Sequence, residues 1–92
     1  MKVDFDPEKN ARNVEVRGIS FEEVARFGWE SAVIITDTRQ DYCEAGYRGF
    51  GFIGNRLHAL VFTPRQGAIR VISLRKANRR EVLRFHETQI QP

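Results

Sequence analysis

The chain has 92 residues, of which 41% are hydrophobic and 29% charged, so it is long enough for one small core and not for several domains. Its single cysteine, Cys43, excludes an internal disulfide and agrees with a reducing compartment. The N-terminus, Met-Lys-Val-Asp-Phe-Asp, lacks the pattern of a signal peptide, and no apolar run approaches the roughly 20 residues that cross a bilayer. We therefore expect one cytoplasmic domain over residues 1–92, with no membrane contact.

The net charge of +3 is divided unevenly along the chain. Residues 1–47 carry six Lys or Arg and ten Asp or Glu, a net charge of −4, whereas residues 48–92 carry nine and two, a net charge of +7. A basic half of this kind can bind a polyanion such as RNA or DNA. The alternative interpretation is a solvated surface on which the charges merely segregate.

The first elements are predicted from their end signals. Residues 2–5 form a short strand, and Asp6-Pro7 then begins a helix, with Asp6 as the N-cap and Pro7 at the first helical position. This helix should run to about Val16 and end near Gly18, which tolerates a left-handed turn. A second helix should follow at once.

The second helix is predicted by a capping box at 20–23, with Ser20 at the N-cap and Glu23 at the third helical position. Ile19 and Val24 have the spacing of a hydrophobic staple beside that box. We expect the helix to end near residues 27–28.

The remaining pattern predicts strands, a hairpin turn at 54–55 and a final helix from Lys76 to about Gln89. The strand between residues 47 and 53 contains glycines that weaken it. The fold class is therefore α+β: a small antiparallel sheet of three to five strands, covered by two N-terminal helices and one C-terminal helix. The predicted strands in this half are 32–36, 47–53, 57–63 and 68–74.

A cluster of cations marks the junction between the last strand and the last helix. Guanidinium groups stay charged at working pH and bind phosphate oxygens bidentately, so the cluster indicates a phosphate-containing partner. The cluster consists of Arg70, Arg75, Lys76, Arg79 and Arg80.

Several spaced motifs together resemble the BrnT family, the toxin half of a type II toxin–antitoxin pair. The motifs run in the family's order across about 80 residues. They are Phe5-Asp6 with Lys9 and Asn13; Gly-Ile-Ser-Phe-Glu-Glu at 18–23; Asp37 with Arg39; Asp41-Tyr42 with Glu44; Val-Phe-Thr at 61–63; Arg-Val-Ile-Ser at 70–73; Arg-Lys-Ala at 75–77; and Arg-Arg-Glu at 79–81.

The resemblance implies a cytoplasmic RNA endonuclease with a RelE-like fold that inhibits translation by cutting RNA. We expect no cofactor, and the sequence has no His/Cys/Asp cluster with the spacing of metal ligands. It also implies neutralisation by a BrnA-type antitoxin, which dimerises, joins the toxin in a hetero-oligomer and alone contacts operator DNA. The competing interpretation is a non-catalytic domain that binds nucleic acid or a partner.

The sequence departs from the family pattern at three positions. Arg17 stands where the family commonly has His, Gly46 stands where it often has Arg, and Phe85 replaces a usual Tyr. Arg48 lies two residues after Gly46, on the same face of a strand. An Arg cannot carry protons near neutral pH as a His does, so the general acid and base remain unassigned.

Arg70 and Arg75 are the candidates for stabilising the charged transition state. On a regular strand their side chains would point to opposite faces, so a bulge or the strand end must bring them to one site. The alternative places Arg70 on a solvated face and pairs Arg75 with an acidic residue.

Three further residues are catalytic candidates. Lys9 matches the family pattern, with an ordinary surface lysine as the alternative. Glu81 is a candidate base, or it only holds an arginine in place. His86, far along the last helix, is a candidate proton carrier, and a mechanism without a side-chain base is the alternative.

The remaining cations are assigned to RNA binding, with solvated surface charges or local salt bridges as the alternative. Lys76 and Arg80 would share one helix face at a spacing of four residues. The set is Arg39, Arg48, Lys76, Arg79 and Arg80.

Overall fold

The computed structural model describes residues 2–36 and 46–90, and over these residues it has the expected α+β composition. Two short 3-10 helices, Phe21–Arg26 and Trp29–Ser31, separate the first helix from the second strand. The strands and α-helices are β1 (Lys2–Phe5), α1 (Pro7–Arg17), β2 (Val33–Thr36), β3 (Tyr47–Ile53), β4 (Arg56–Arg65), β5 (Ala68–Lys76) and α2 (Arg79–Ile90).

The described strands form one sheet of five in the order β1-β5-β4-β3-β2. The prediction of an antiparallel sheet is wrong at one edge, because β1 runs parallel to β5, with Asp4 opposite Arg70. The other pairs are antiparallel. Local patterns predict that residues 2–5 form a strand. They do not predict that this strand pairs with β5, in which Arg70 lies 66 residues after Asp4.

The first helix begins and ends where its signals predict. The backbone N–H of Glu8 donates to Asp6 Oδ1 (3.0 Å), and Pro7 occupies the first helical turn. Gly18, at φ 73°, closes the helix by donating its N–H to the carbonyl of Val14 (2.8 Å). Asn13 lies buried on this helix and donates from Nδ2 to the carbonyl of Leu74 (2.9 Å), which fixes α1 beside β5.

The predicted second α-helix is a 3-10 helix instead. Ser20 is its N-cap, as expected, and accepts from the N–H of Glu22 (3.1 Å). The carboxylate of Glu23 pairs with Arg26 (2.7 Å). The buried residues Phe21 and Val24 are three positions apart and therefore share one face of a helix with three residues per turn.

The last helix begins three residues later than predicted. Lys76 belongs to β5, and the N–H of Ala77 donates to the carbonyl of Leu57 (2.9 Å), which extends the sheet contact. Asn78 then caps the helix: its Oδ1 accepts from the N–H of Glu81, and Glu81 Oε1 accepts from the N–H of Asn78, both at 2.9 Å. The expectation that Lys76 shares a helix face with Arg80 is therefore wrong.

The sheet is covered on both faces by different elements. One face packs on the 3-10 helix through Phe21, Val24 and Leu60. The other face packs on α2 at one end, where Leu57 and Phe85 are buried. Within residues 2–36 and 46–90, no helix has the length and apolar character needed to span a membrane.

Candidate functional site

A bulge in β5 brings Arg70 and Arg75 to the same face of the sheet. Val61 pairs with Ser73 and Phe62 pairs with Val71, so Ile72 is an extra residue in the strand. Such a bulge reverses the alternation of side chains beyond it. Both arginines therefore lie on the face that α2 covers at one end, as their partners on β4 also indicate.

The register between β4 and β5 places both arginines on the same face without reference to the bulge. Arg70 lies opposite Thr63 and Arg75 lies opposite Ala59 on β4, which is regular between these positions. Residues an even number of positions apart on a regular strand share a face. We call this side of the sheet the cationic face; it is defined by Arg48, Arg70 and Arg75.

Arg70 pairs with the strand next to it. Its Nη1 lies 2.8 Å from Asp4 Oδ2, and both side chains are partly exposed. The hydrogen bond from Arg70 holds the pKa of Asp4 below its ordinary value. The carboxylate therefore stays ionised and restrains the guanidinium at the β1 edge of the sheet.

Arg75 is held by the helix. Its Nη1 donates to Glu81 Oε1 and its Nη2 to Glu81 Oε2, both at 2.8 Å. The hydrogen bonds from Arg75 lower the pKa of Glu81, and those to Glu81 raise the pKa of Arg75. Because both carboxylate oxygens accept hydrogen bonds, Glu81 is suited to positioning Arg75 and poorly suited to taking a proton.

Arg48 joins the same cluster from β3. It lies opposite Val61, which places it on the cationic face, and its charge contributes to the lowered pKa of Glu81. Its Cζ lies 5.7 Å from the ring centroid of Phe50, within cation–π range. Its Nε is buried and has no hydrogen-bond partner in the part of the chain that the structure describes.

Lys9 borders the cationic face from the side of α1. It is exposed and lines a shallow depression together with Arg12, Arg17 and Ser73. Ser73 pairs with Val61 and so belongs to the same face as Arg75. Phe21, which packs on the opposite face of the sheet, lines the depression as well, so the depression spans the edge of the sheet beside α1.

Other predicted residues lie elsewhere. Lys76 is opposite His58 and therefore points to the other face of the sheet. Arg79 is exposed on the first turn of α2, outside the groove that Arg80 lines. His86 is exposed and contacts Phe85 (centroids 6.1 Å apart), about 200° around the helix axis from Arg84. Arg39 falls outside the described residues.

Two residues of the site were not predicted from the sequence. Asn78 precedes Glu81 by three positions, the spacing of a capping box, and this signal would have placed the helix start correctly. Arg84 lies four residues after Arg80 and lines the same groove, a spacing that the helix predicted from Lys76 to about Gln89 already contains.

Among the described residues, no group of three His, Cys, Asp or Glu side chains is arranged to hold a metal ion. Of the three departures from the family pattern, Arg17 is exposed, Gly46 is buried and Phe85 is buried against Phe52 (centroids 5.5 Å apart). Phe85, which lacks the hydroxyl of the Tyr usual in the family, therefore contributes to packing.

Comparisons with known proteins assign the family. The BrnT toxin family, described as the ribonuclease toxin BrnT of type II toxin–antitoxin systems, matches residues 5–81. The crystal structure of the Brucella abortus ribonuclease toxin BrnT is similar with a TM-score of 0.66 and 25% identity, over 86% of this chain and 99% of that chain. Among curated proteins, no sequence matches this chain. The chain belongs to the BrnT family of type II toxin–antitoxin ribonuclease toxins.

Proposed function

We propose that the protein is a metal-independent RNA endonuclease that inhibits translation. The observation that carries this proposal is the cationic face, on which Arg48, Arg70 and Arg75 are gathered from two strands. Two of the three are restrained by carboxylates, and restrained cations need little reorganisation when charge develops on a phosphate.

The proposed reaction is attack by the ribose 2′-oxygen on the adjacent phosphorus, with departure of the 5′-oxygen. Charge accumulates on the phosphate oxygens in the transition state, and Arg75 stabilises it there. The partners of Arg70 and Arg75 on β4 are four residues, or about 13 Å, apart, so Arg70 binds another phosphate of the same RNA strand. A guanidinium carries more N–H groups than Glu81 uses, so Arg75 retains donors for a phosphate. Glu81 acts as a positioning residue.

The two proton-transfer roles are assigned to Lys9 and to solvent. Lys9 is the candidate for protonating the leaving 5′-oxygen. His86 lies on the side of α2 away from Arg84, so the base role is left to solvent, and electrostatic stabilisation supplies most of the acceleration. Arg80 extends the binding surface beyond the reacting phosphate, with Arg39, Lys76 and Arg79 as more distant contacts.

We also propose the biological setting that membership of the family suggests. The partner is a BrnA-type antitoxin that dimerises, forms a hetero-oligomer with the toxin, covers the cationic face and alone contacts operator DNA. The compartment is the cytoplasm, and the fold is of the RelE-like type. Co-expression with the antitoxin should restore growth, and a complex that fails to restore it contradicts this part of the proposal.

The enzymatic proposal is tested by expression and by RNA mapping. Induced expression should arrest bacterial growth, and purified protein in EDTA should produce RNA fragments with new 5′-hydroxyl ends. The double variant Arg70→Ala/Arg75→Ala should relieve both effects. The matched control is Arg56→Ala, because Arg56 begins β4 at the hairpin and is exposed, away from the cationic face. Intact RNA with wild-type protein contradicts the proposal.

A non-catalytic nucleic-acid-binding domain is the second candidate. Two observations favour it: Arg17 replaces a possible proton carrier, and both oxygens of Glu81 are occupied by Arg75. It predicts RNA binding that weakens steeply with salt and yields no cleavage products. Cleavage that disappears with Arg75→Ala eliminates it.

A further inference from the structure

A groove lies between the β2 edge of the sheet and α2. Its cavity of about 320 Å³ falls at the small end of ligand pockets, which span roughly 300–1,000 Å³. Apolar side chains form part of its wall: Val33 and Ile35 come from β2, Phe50 from β3 and Phe85 from α2. A groove of this size and character fits one flat ring system.

Cations line the same groove. Arg80 and Arg84 lie one helical turn apart on α2, and Arg48 approaches from the sheet. No ion pair of the described residues involves these arginines. Both of the α2 arginines are exposed, so their guanidinium groups are accessible to an anion.

The environment of Arg48 supports a ligand at this place. Its Nε is buried without an acceptor in the described part of the chain, and an unsatisfied buried donor is costly. Its guanidinium lies over the ring of Phe50, so the two side chains form a flat, cation-bearing surface. Such a surface suits the π-face of a base with a phosphate beside it.

We propose that this groove binds one unstacked nucleobase of single-stranded RNA, with its flanking phosphates on Arg80 and Arg84. The inference rests on the proposed RNA substrate and deepens it. Glu81 lines the groove and holds Arg75, so a base bound here lies next to the phosphate that Arg75 contacts. The groove therefore determines which nucleotide is adjacent to the cut.

Wild-type protein alone provides the first test. Its affinity is measured for a 2′-O-methyl RNA heptamer, which lacks the attacking hydroxyl, and for a heptamer with the same 2′-O-methyl ribose–phosphate backbone and no bases. The two probes carry the same charge, so electrostatics predicts equal affinity. A base subsite predicts about tenfold tighter binding of the heptamer with bases.

Variants then locate the subsite. Phe50→Leu retains an apolar side chain but removes the stacking surface, so it should reduce the tenfold preference towards unity. Arg84→Gln should weaken binding of both heptamers equally and lower the salt dependence. Arg56→Gln is the matched control and should change neither quantity, since Arg56 lies at the hairpin away from the groove.

The outcomes separate this inference from the ribonuclease proposal. A protein that binds bases preferentially but does not cleave RNA supports the subsite and contradicts the enzyme. A protein that cleaves RNA but binds both heptamers equally overturns the subsite and leaves the enzyme intact. Groove variants that lose only the antitoxin, with unchanged RNA binding, also overturn it, because they assign the groove to a protein partner.

Discussion

Glu81 holds Arg75 by accepting two hydrogen bonds of 2.8 Å, one donated by each terminal nitrogen of the guanidinium. Glu81 is itself fixed, because it exchanges backbone and side-chain hydrogen bonds with Asn78 at the start of α2. The same carboxylate thus caps a helix and orients a cation on the sheet. A planar bidentate pair leaves the guanidinium little freedom to rotate.

This relationship predicts the behaviour of Glu81→Gln. The amide still accepts a hydrogen bond but no longer matches the fork of Arg75, so the cation loses its fixed orientation. RNA cleavage should fall by about 10- to 100-fold, while the shape of the pH–rate profile between about pH 5 and 8 stays unchanged. Cleavage rates across that range provide the measurement.

The control for this variant is Glu87→Gln, the same chemical change at an exposed position on the same helix, which should retain full activity. A Glu81→Gln enzyme that has lost a limb of the pH–rate profile would instead identify Glu81 as the catalytic base.

Arg75→Lys should be nearly as damaging as Arg75→Ala, although it keeps the charge. An ammonium group cannot donate bidentately to Glu81 and contact a phosphate in the same plane. We expect a loss of about 100-fold or more in the rate of cleavage, in the range found when one transition-state donor is removed. The assay is single-turnover cleavage, and Arg56→Lys serves as the control; near-normal cleavage by Arg75→Lys would show that charge alone suffices.

Features defined by a few neighbouring residues were predictable from the sequence. The Asp6 cap, the turn at Gly18 and the hairpin turn at 54–55 all appear where their signals place them. Each depends on hydrogen bonds or φ angles within a few positions. The cap at Ser20 was also correct, but the helix that follows it is a 3-10 helix.

Features defined by distant contacts were not predictable in the same way. Asp4 reaches Arg70 only because β1 lies beside β5, and no local pattern encodes that neighbour. We expected a bulge or a strand end to bring Arg70 and Arg75 to one site; the bulge at Ile72 places them on one face of the sheet, with their partners on β4 four residues apart. The pairing of Arg75 with an acidic residue was one of two open interpretations, and the structure identifies Glu81 as that residue.

Asn13 is predicted to contribute to stability although it lies away from the arginines of the cationic face. Its Nδ2 donates to the carbonyls of Ile19 and Leu74, both at 2.9 Å, and so joins the end of α1 to β5. Asn13→Ala leaves both carbonyls without this donor and should lower the free energy of unfolding by about 1–3 kcal/mol. Urea denaturation measures the change. Arg12→Ala, an exposed change on the same helix, should stay within about 0.5 kcal/mol of wild type, and equal losses would contradict the assignment.

Two glycines of β3 should differ in their tolerance of alanine. A Cβ on Gly51 would lie 2.5 Å from Phe27 Cζ, the end of a rigid, buried ring. A Cβ on Gly49 would lie 2.9 Å from Ile34 Cδ1, the end of a partly exposed side chain that can move. Gly51→Ala should therefore cost about 1–3 kcal/mol of stability and Gly49→Ala less, as thermal and urea unfolding can measure. A larger loss of stability in Gly49→Ala than in Gly51→Ala would show that Ile34 on β2 is a more rigid contact than Phe27.

The two ion pairs of the cationic face predict how stability changes in acid. Hydrogen bonds from Arg70 and Arg75 lower the pKa values of Asp4 and Glu81 below their ordinary values of 3.8 and 4.5. A carboxyl whose pKa is lower in the folded state stabilises the fold above its unfolded pKa, and this contribution is lost as the pH falls through the folded value. The free energy of unfolding should therefore decline below about pH 4.5, and Asp4→Asn or Glu81→Gln should each reduce the decline.

Urea unfolding at a series of pH values measures how steeply the free energy of unfolding declines. Glu87→Gln is the control, and a slope that neither Asp4→Asn nor Glu81→Gln changes would show that other carboxylates govern the acid transition.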